Sequence, residues 1–148
     1  MMMIHATCVS IDGHGVLLRG PSGSGKSDLA LRLIDAGAHL VGDDYCRYHT
    51  ESGWAGDVLI ASPRPELAGV LEVRGLGLIR VGHVQDVPVR LLFDLCPGQI
   101  PERMPVPETV ELSGVAVPRL FLDPFHASAA AKVRLAVRVI TGDVVLLS

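Results

Sequence analysis

No stretch of the 148 residues approaches the roughly 20 consecutive apolar residues of a membrane span. The hydrophobic content of 49% is broken into short Val/Leu runs. The N-terminus, Met1-Met2-Met3-Ile4-His5, lacks a basic region leading into a long apolar stretch. No secretory signal is therefore expected, and a cytoplasmic chain is. A basic excess is also missing. The 13 Lys+Arg against 16 Asp+Glu give a net charge of −3, which argues against a general nucleic-acid binder. The cysteines, Cys8, Cys46 and Cys96, are odd in number and far apart. No pair has metal-ligand spacing, so free thiols in a reducing compartment are expected. There is no internal repeat and no low-complexity segment. What remains is the composition of an ordinary globular protein: a single domain over residues 1–148, long enough to bury roughly 68–70% of its unfolded surface.

Ala6–Ile11 reads as a first strand, and Asp12-Gly13-His14-Gly15 as a turn. Val16-Leu17-Leu18 is a short apolar run of the kind buried on both faces of a sheet. Lys26–Ala36 reads as a helix, with Leu29, Leu33 and Ala36 on one face, Ala30 and Ile34 beside them, and Gly37 as its stop. His39-Leu40-Val41-Gly42 follows as a strand. Cys46–His49 and Val58–Ala61 are expected to form a hairpin around Glu51-Ser52-Gly53. Val70–Val73, Leu78–Val81, Val89–Leu95, Val110–Leu112 and Arg119–Leu122 are further strands, and Pro97–Pro107 is a proline-rich loop. A last helix is expected near Ser128–Ile140, with Val133, Ala136, Val137 and Ile140 on its apolar face and Lys132, Arg134 and Arg138 outside it. The class is α/β with more strand than helix.

The segment Gly20-Pro21-Ser22-Gly23-Ser24-Gly25-Lys26-Ser27 fits G-x-x-x-x-G-K-[ST], the pattern of a P-loop. Its glycines let successive backbone N–H groups converge on phosphate oxygens, and the following helix points its N-terminus at the same anion. Lys26 brings a point charge to the β- and γ-phosphates, and the Ser27 hydroxyl can ligate Mg²⁺. The motif lies between a strand and a helix, as that mechanism requires, so ATP is the expected ligand. One helix later, Asp43-Asp44 closes a strand. A strand–helix–strand unit would return this pair to the phosphate-binding edge. There, one acid can hold Mg²⁺ while the other accepts the proton of an attacking hydroxyl.

The third unusual segment is Glu72-Val73-Arg74-Gly75-Leu76-Gly77-Leu78, which alone is a strand end and a tight turn. Together with Gly20–Ser27 and Leu40-Val41-Gly42-Asp43-Asp44, it closely resembles the catalytic domain of HPr kinase/phosphorylase. That family carries a P-loop, an apolar run ending in two Asp, and E-[IV]-R-G-[LI]-G, in this order. The resemblance extends over nearly the whole chain and implies a short form without the family's N-terminal domain. It implies a mixed sheet with few helices, the P-loop kinase core of the HPr kinase and phosphoenolpyruvate carboxykinase-like type. It also implies a serine kinase acting on the phosphocarrier HPr, with phosphorolysis in reverse, which regulates carbohydrate metabolism through the phosphotransferase system, in hexamers.

By the same resemblance, Asp43 is the catalytic acid/base. Asp44 is its metal-side neighbour, Glu72 is linked to Mg²⁺, and Arg74 belongs to the phosphate site. His5 stands the same distance before the P-loop as a family active-site histidine, and Arg103 aligns with an arginine at the reacting phosphoryl group. The last helix occupies the place where family members contact HPr. Two stretches depart from the family pattern. His83–Pro88 replaces a longer glycine-rich basic loop, and Leu120–His126 contains no Lys or Arg. Two rival functions are a small-molecule P-loop kinase and a nucleotide-sensing regulator that transfers nothing.

Overall fold

A computed structural model describes residues 2–148; Met1, the first residue of the N-terminal reading above, lies outside the described residues. Strand β1 (Met2–Ile4) precedes β2 (Thr7–Ile11) and β3 (His14–Arg19). Helix α1 (Lys26–Asp35) follows, then β4 (His39–Gly42), β5 (Cys46–Gly53) and β6 (Gly56–Ser62). A short 3₁₀ turn (Pro65–Leu67) leads to β7 (Val70–Val73), β8 (Gly77–Arg80) and β9 (Val87–Leu95). The chain ends with β10 (Glu108–Leu112), β11 (Val115–Leu122) and α2 (Ala129–Thr141).

The main sheet runs β1-β5-β6-β9-β3-β2-β4, and β10-β11 attach through β11 to β9. β9 is the branch point. Its first residues pair with β6, and its length pairs in parallel with β3 and then with β11. β2 pairs antiparallel with both β3 and β4, so β3 and β4 run in the same direction. The expected strand–helix–strand unit is present, with β2 between its two strands. Consequently β3, β4, β9 and β11 all deliver their carboxyl ends to one edge. Ligands of open α/β sheets bind outside such edges.

The apolar runs are buried on both faces because successive side chains alternate. Val16, Leu18, Leu91 and Phe93 pack under α1 and α2 with Leu29, Leu33, Val133 and Val137. Leu17 and Leu92 point the other way and pack with Cys8, Val41, Cys46, Leu59 and Val117. The β7–β8 hairpin is a separate two-stranded sheet, anchored in the first cluster by the fully buried Leu71.

Four sequence expectations need correction. The turn after β2 is Asp12-Gly13 alone, because His14 and Gly15 already pair with Ile11 and Ser10 as the start of β3. α1 ends at Asp35, so Ala36 is an exposed C-cap and not part of the buried face. The β5–β6 hairpin does not turn at Glu51-Ser52-Gly53. Those residues keep pairing with Val58, Asp57 and Gly56, and the turn is Trp54-Ala55. Continuing the ladder pairs backbone groups that the shorter hairpin would leave to solvent. On α2, Ile140 is exposed, because the core under that helix is filled by Ala129, Val133 and Val137.

Candidate active site

The phosphate loop leaves β3 after Arg19. Gly20 is required by space. A Cβ there would lie 2.5 Å from Ser24 Oγ and 3.0 Å from Ser24 Cβ. Gly25 is required by conformation as well, since its φ is +94° and an added Cβ would meet Pro124 and Phe125 at 3.0–3.2 Å. Gly25 caps α1 without any side-chain hydrogen bond, so the first-turn N–H groups have no side-chain acceptor at this cap. Lys26 is buried, and its ammonium donates to the carbonyls of Gly20 (2.6 Å) and Pro21 (3.1 Å). The loop thus holds a charge in place beside a helix N-terminus, an arrangement suited to an anion.

The twin acids meet this loop directly. The Ser27 hydroxyl donates to Asp43 Oδ1 at 2.7 Å. Asp43 Oδ2 accepts the backbone N–H of Glu72 at 3.0 Å, which docks the β7–β8 hairpin onto the acid. Thr7, absent from the sequence-based set, joins the two acids. Its hydroxyl donates to Asp43 Oδ1 (3.1 Å) and accepts the N–H of Asp44 (3.0 Å). Asp44 has φ +64°, a left-handed conformation that costs a non-glycine residue energy and that the Thr7 bond helps to hold. The available signal was a buried hydroxyl at the start of β2, which it shares with Ser10; its partner lies 36 residues away.

His5 is brought in by β1, a strand too short to show a period, whose Ile4 pairs with Cys46 of β5. Its Nε2 contacts Asp44 Oδ1 at 2.9 Å, and its ring stacks on Tyr45 with centroids 4.7 Å apart. A cavity of about 520 Å³ opens over the phosphate loop; Asp43 and His5 do not line it but bond Ser27 and Asp44, which do. The cavity is lined by Ser22–Ser27 without Ser24, by Asp44, Glu72 and Arg74, and by Asp28, Leu31, Val73 and Phe125. Arg103 is not brought there. It is exposed in the loop after β9, whose residues Ile100, Pro101, Glu102 and Pro105 line a different cavity with Arg119 and Phe121.

Behind the phosphate loop, Asp94 of β9 binds two arginines. Arg19 donates Nε to Oδ1 (2.7 Å) and Nη2 to Oδ2 (3.0 Å), and Arg119 donates Nε to Oδ2 (2.5 Å). Burial pushes the Asp94 carboxyl up, but the hydrogen bonds and charges of Arg19 and Arg119 outweigh it and hold it below the ordinary carboxylate range. The signal in the sequence was a carboxylate near the end of the run Val89–Leu95, whose other charge, Arg90, is exposed. Cys8 and Cys46 are buried, and the neighbouring Cys46 thiol together with burial pushes the Cys8 thiol well up. Such a thiol is unreactive.

Hard oxygen donors gather where a divalent ion would serve a bound triphosphate: Ser27 Oγ and Asp43 Oδ1 lie 2.7 Å apart, and Asp44 and Glu72 line the adjoining cavity. Among the described residues, no three His, Cys, Asp or Glu side chains form a cage of their own. That fits Mg²⁺, which is usually held by one or two carboxylates plus substrate phosphates.

Fold and site together define a P-loop protein of the mixed-sheet α/β type, in which Asp43 bonds Ser27 of the phosphate loop and Asp44 lines the same cavity as that loop. The family model described as the HPr Serine kinase C-terminal domain matches residues 1–86. The chain belongs to this family. The HPr kinase/phosphorylase of Shouchella clausii is 44% identical over 78 residues, 53% of this chain and 24% of that protein. The HPr kinase/phosphorylase of Aromatoleum aromaticum is 37% identical, covering 80% of this chain and 41% of its own length. The chain therefore spans about a quarter to two-fifths of these curated relatives. The solved HPr(Ser) kinase/phosphatase from Coxiella burnetii superposes with a TM-score of 0.76 at 27% identity, covering 97% of this chain and 95% of that one. The resemblance read from the motifs thus extends in structure over nearly the whole chain, although the family model itself stops at Asp86. Among the described residues, no helix is long and apolar enough to cross a membrane.

Proposed function

We propose that this chain is an ATP-dependent serine kinase acting on an HPr-type phosphocarrier, and so a regulator of carbohydrate metabolism through the phosphotransferase system. The observation that carries the reading is the 2.7 Å contact between Ser27 of the phosphate loop and Asp43, in a site that Glu72 and Arg74 also line. The triphosphate rests on Gly20, Pro21, Ser22, Gly23, Ser24, Gly25, Lys26 and Ser27. Mg²⁺, on the side of Ser27, Asp44 and Glu72, supplies charge neutralisation for the phosphates when bound. Asp43 takes the proton of the target serine hydroxyl. The hydroxyl oxygen bonds to the γ-phosphorus, and the bond from that phosphorus to the β–γ bridging oxygen breaks, leaving ADP. Lys26 and Arg74 spread positive charge over the equatorial oxygens, and such electrostatic positioning is the main catalytic resource of phosphoryl transfer. His5 acts through its contact with Asp44. Arg103 is given no part in this scheme. Reversal by phosphate, with Asp43 as the acid, belongs to the same proposal, as does assembly into hexamers in the cytoplasm.

A second allotment of the acids is favoured by the same 2.7 Å contact, because a hydroxyl and a carboxylate so placed can flank one divalent ion. Asp43 would then serve the metal and Asp44, paired with His5, the hydroxyl. Asp43→Asn and Asp44→Asn separate the two. The base variant loses transfer and keeps Mg²⁺-dependent ATP binding; the metal variant loses both. The activity itself is tested by incubating the protein with HPr and ATP–Mg²⁺ and weighing HPr by mass spectrometry. A gain of one phosphoryl group on a serine is expected. Label transferred to a small molecule instead would favour the metabolite kinase. Tight nucleotide binding with no transfer would favour the sensor.

A further inference from the structure

The turn between β11 and α2 presses an aromatic ring against the phosphate loop without burying it. Phe125 is 59% exposed, yet its backbone is fixed from several sides. Asp123, only 6% exposed, accepts the N–H of Phe125 (3.0 Å) and that of Gly98 (3.1 Å). Arg32 of α1 donates to the carbonyl of Pro124 and, at 3.4 Å, to that of His126. Arg32 is in turn paired with Asp28 at 3.2 Å. The ring edge reaches the loop itself: a Cβ built on Gly25 would stand 3.1 Å from Phe125 Cζ. The ring also lines the cavity that holds Lys26, Ser27 and Arg74.

Core packing does not call for this ring, since most of it faces water while its backbone is pinned. We infer that Phe125 is the platform on which the heterocyclic base of the nucleoside triphosphate stacks. The inference rests on the reading of the cavity as a nucleotide site and adds to it the element that recognises the base. A phenyl face has neither donor nor acceptor, so it rewards any flat base and reads none of its edges. ATP and GTP are accordingly bound with similar affinity, within a few-fold.

The test compares ATP, GTP and inorganic tripolyphosphate, each with Mg²⁺, by titration calorimetry on the whole chain as wild type, Phe125→Ala and Phe125→Trp. Tripolyphosphate carries the phosphates without the base. Loss of one stacking contact weakens binding by about tenfold or more, so Phe125→Ala should bind both nucleotides at least about tenfold more weakly. Phe125→Trp should bind them at least as well as wild type, and tripolyphosphate should bind all three proteins equally. Equal ATP affinity in wild type and Phe125→Ala overturns the inference. So does a parallel loss of tripolyphosphate binding, which would mean damage to the loop. A wild type that binds neither ATP nor tripolyphosphate overturns the nucleotide-site reading itself.

Discussion

Replacing Thr7 by Val removes one oxygen and tests how the acid pair is held. The side chain is wholly buried, and Val matches its shape. Two hydrogen bonds go: the one donated to the Asp43 carboxylate and the one accepted from the Asp44 N–H. A bond to a charged group contributes about 1.5–3 kcal/mol and a neutral one about 1 kcal/mol. Asp44 is exposed, so water replaces part of the second. A net loss of about 2–3 kcal/mol follows. For a chain of this size each kcal/mol moves the melting temperature by about 2–4 °C, so Thr7→Val should melt about 5–10 °C lower. Thr7→Ser keeps both bonds and loses one buried methyl, worth about 1 kcal/mol. Released from the clamp, Asp44 can leave its left-handed conformation, which turns the acids away from Ser27. Phosphoryl transfer should therefore fall further than nucleotide affinity in Thr7→Val and recover largely in Thr7→Ser. Thermal unfolding, ATP titration and transfer rate on the three proteins provide the check. A Thr7→Val protein that melts within about 1 °C of wild type and transfers at the wild-type rate would refute the clamp.

Gly25→Ala sets a side chain on a backbone at φ +94° and against Pro124 and Phe125, so nucleotide affinity should drop at least about tenfold; titration with ATP measures it, and wild-type affinity would contradict the geometry. Asp94→Asn bears on acid stability. The folded carboxyl is held below its unfolded value near about 3.9, so its contribution is fully present above that pH and disappears as pH falls through the lower folded value. The stability gap between wild type and Asp94→Asn, read from denaturant midpoints, should be constant from neutrality down to about pH 4 and narrow below it; a gap unchanged at about pH 2 would disprove the assignment.

The parts legible in the sequence were those whose physics is local. The phosphate loop shows itself because its glycines, lysine and serine must be contiguous, and α1 and β4 follow from a period and a stop signal. Glu72 and Arg74 were recognisable as a motif, and the fold returns them to the loop because Leu71 is anchored beneath α1. The contacts that hold the site together were not local. His5, just after a strand of three residues, reaches Asp44 across 39 positions, and Arg19 reaches Asp94 across 75. Arg103 shows the converse. Its place rested on alignment alone, and a proline-rich loop after β9 holds it exposed, outside the lining of the phosphate-loop cavity.

The division between the matched and unmatched halves of the chain has a structural meaning. Residues 1–86 carry the loop, the acids and the Glu-x-Arg hairpin, all the groups proposed for the chemistry. Yet β3, which presents the loop, is flanked by β2 on one side and β9 on the other, and β9 belongs to the unmatched half. Its Asp94 grips Arg19, the residue before Gly20, and simultaneously Arg119 of β11. β11 then leads into the turn that sets Pro124 and Phe125 against Gly25. The second half thus supports the phosphate loop from behind and borders it in front.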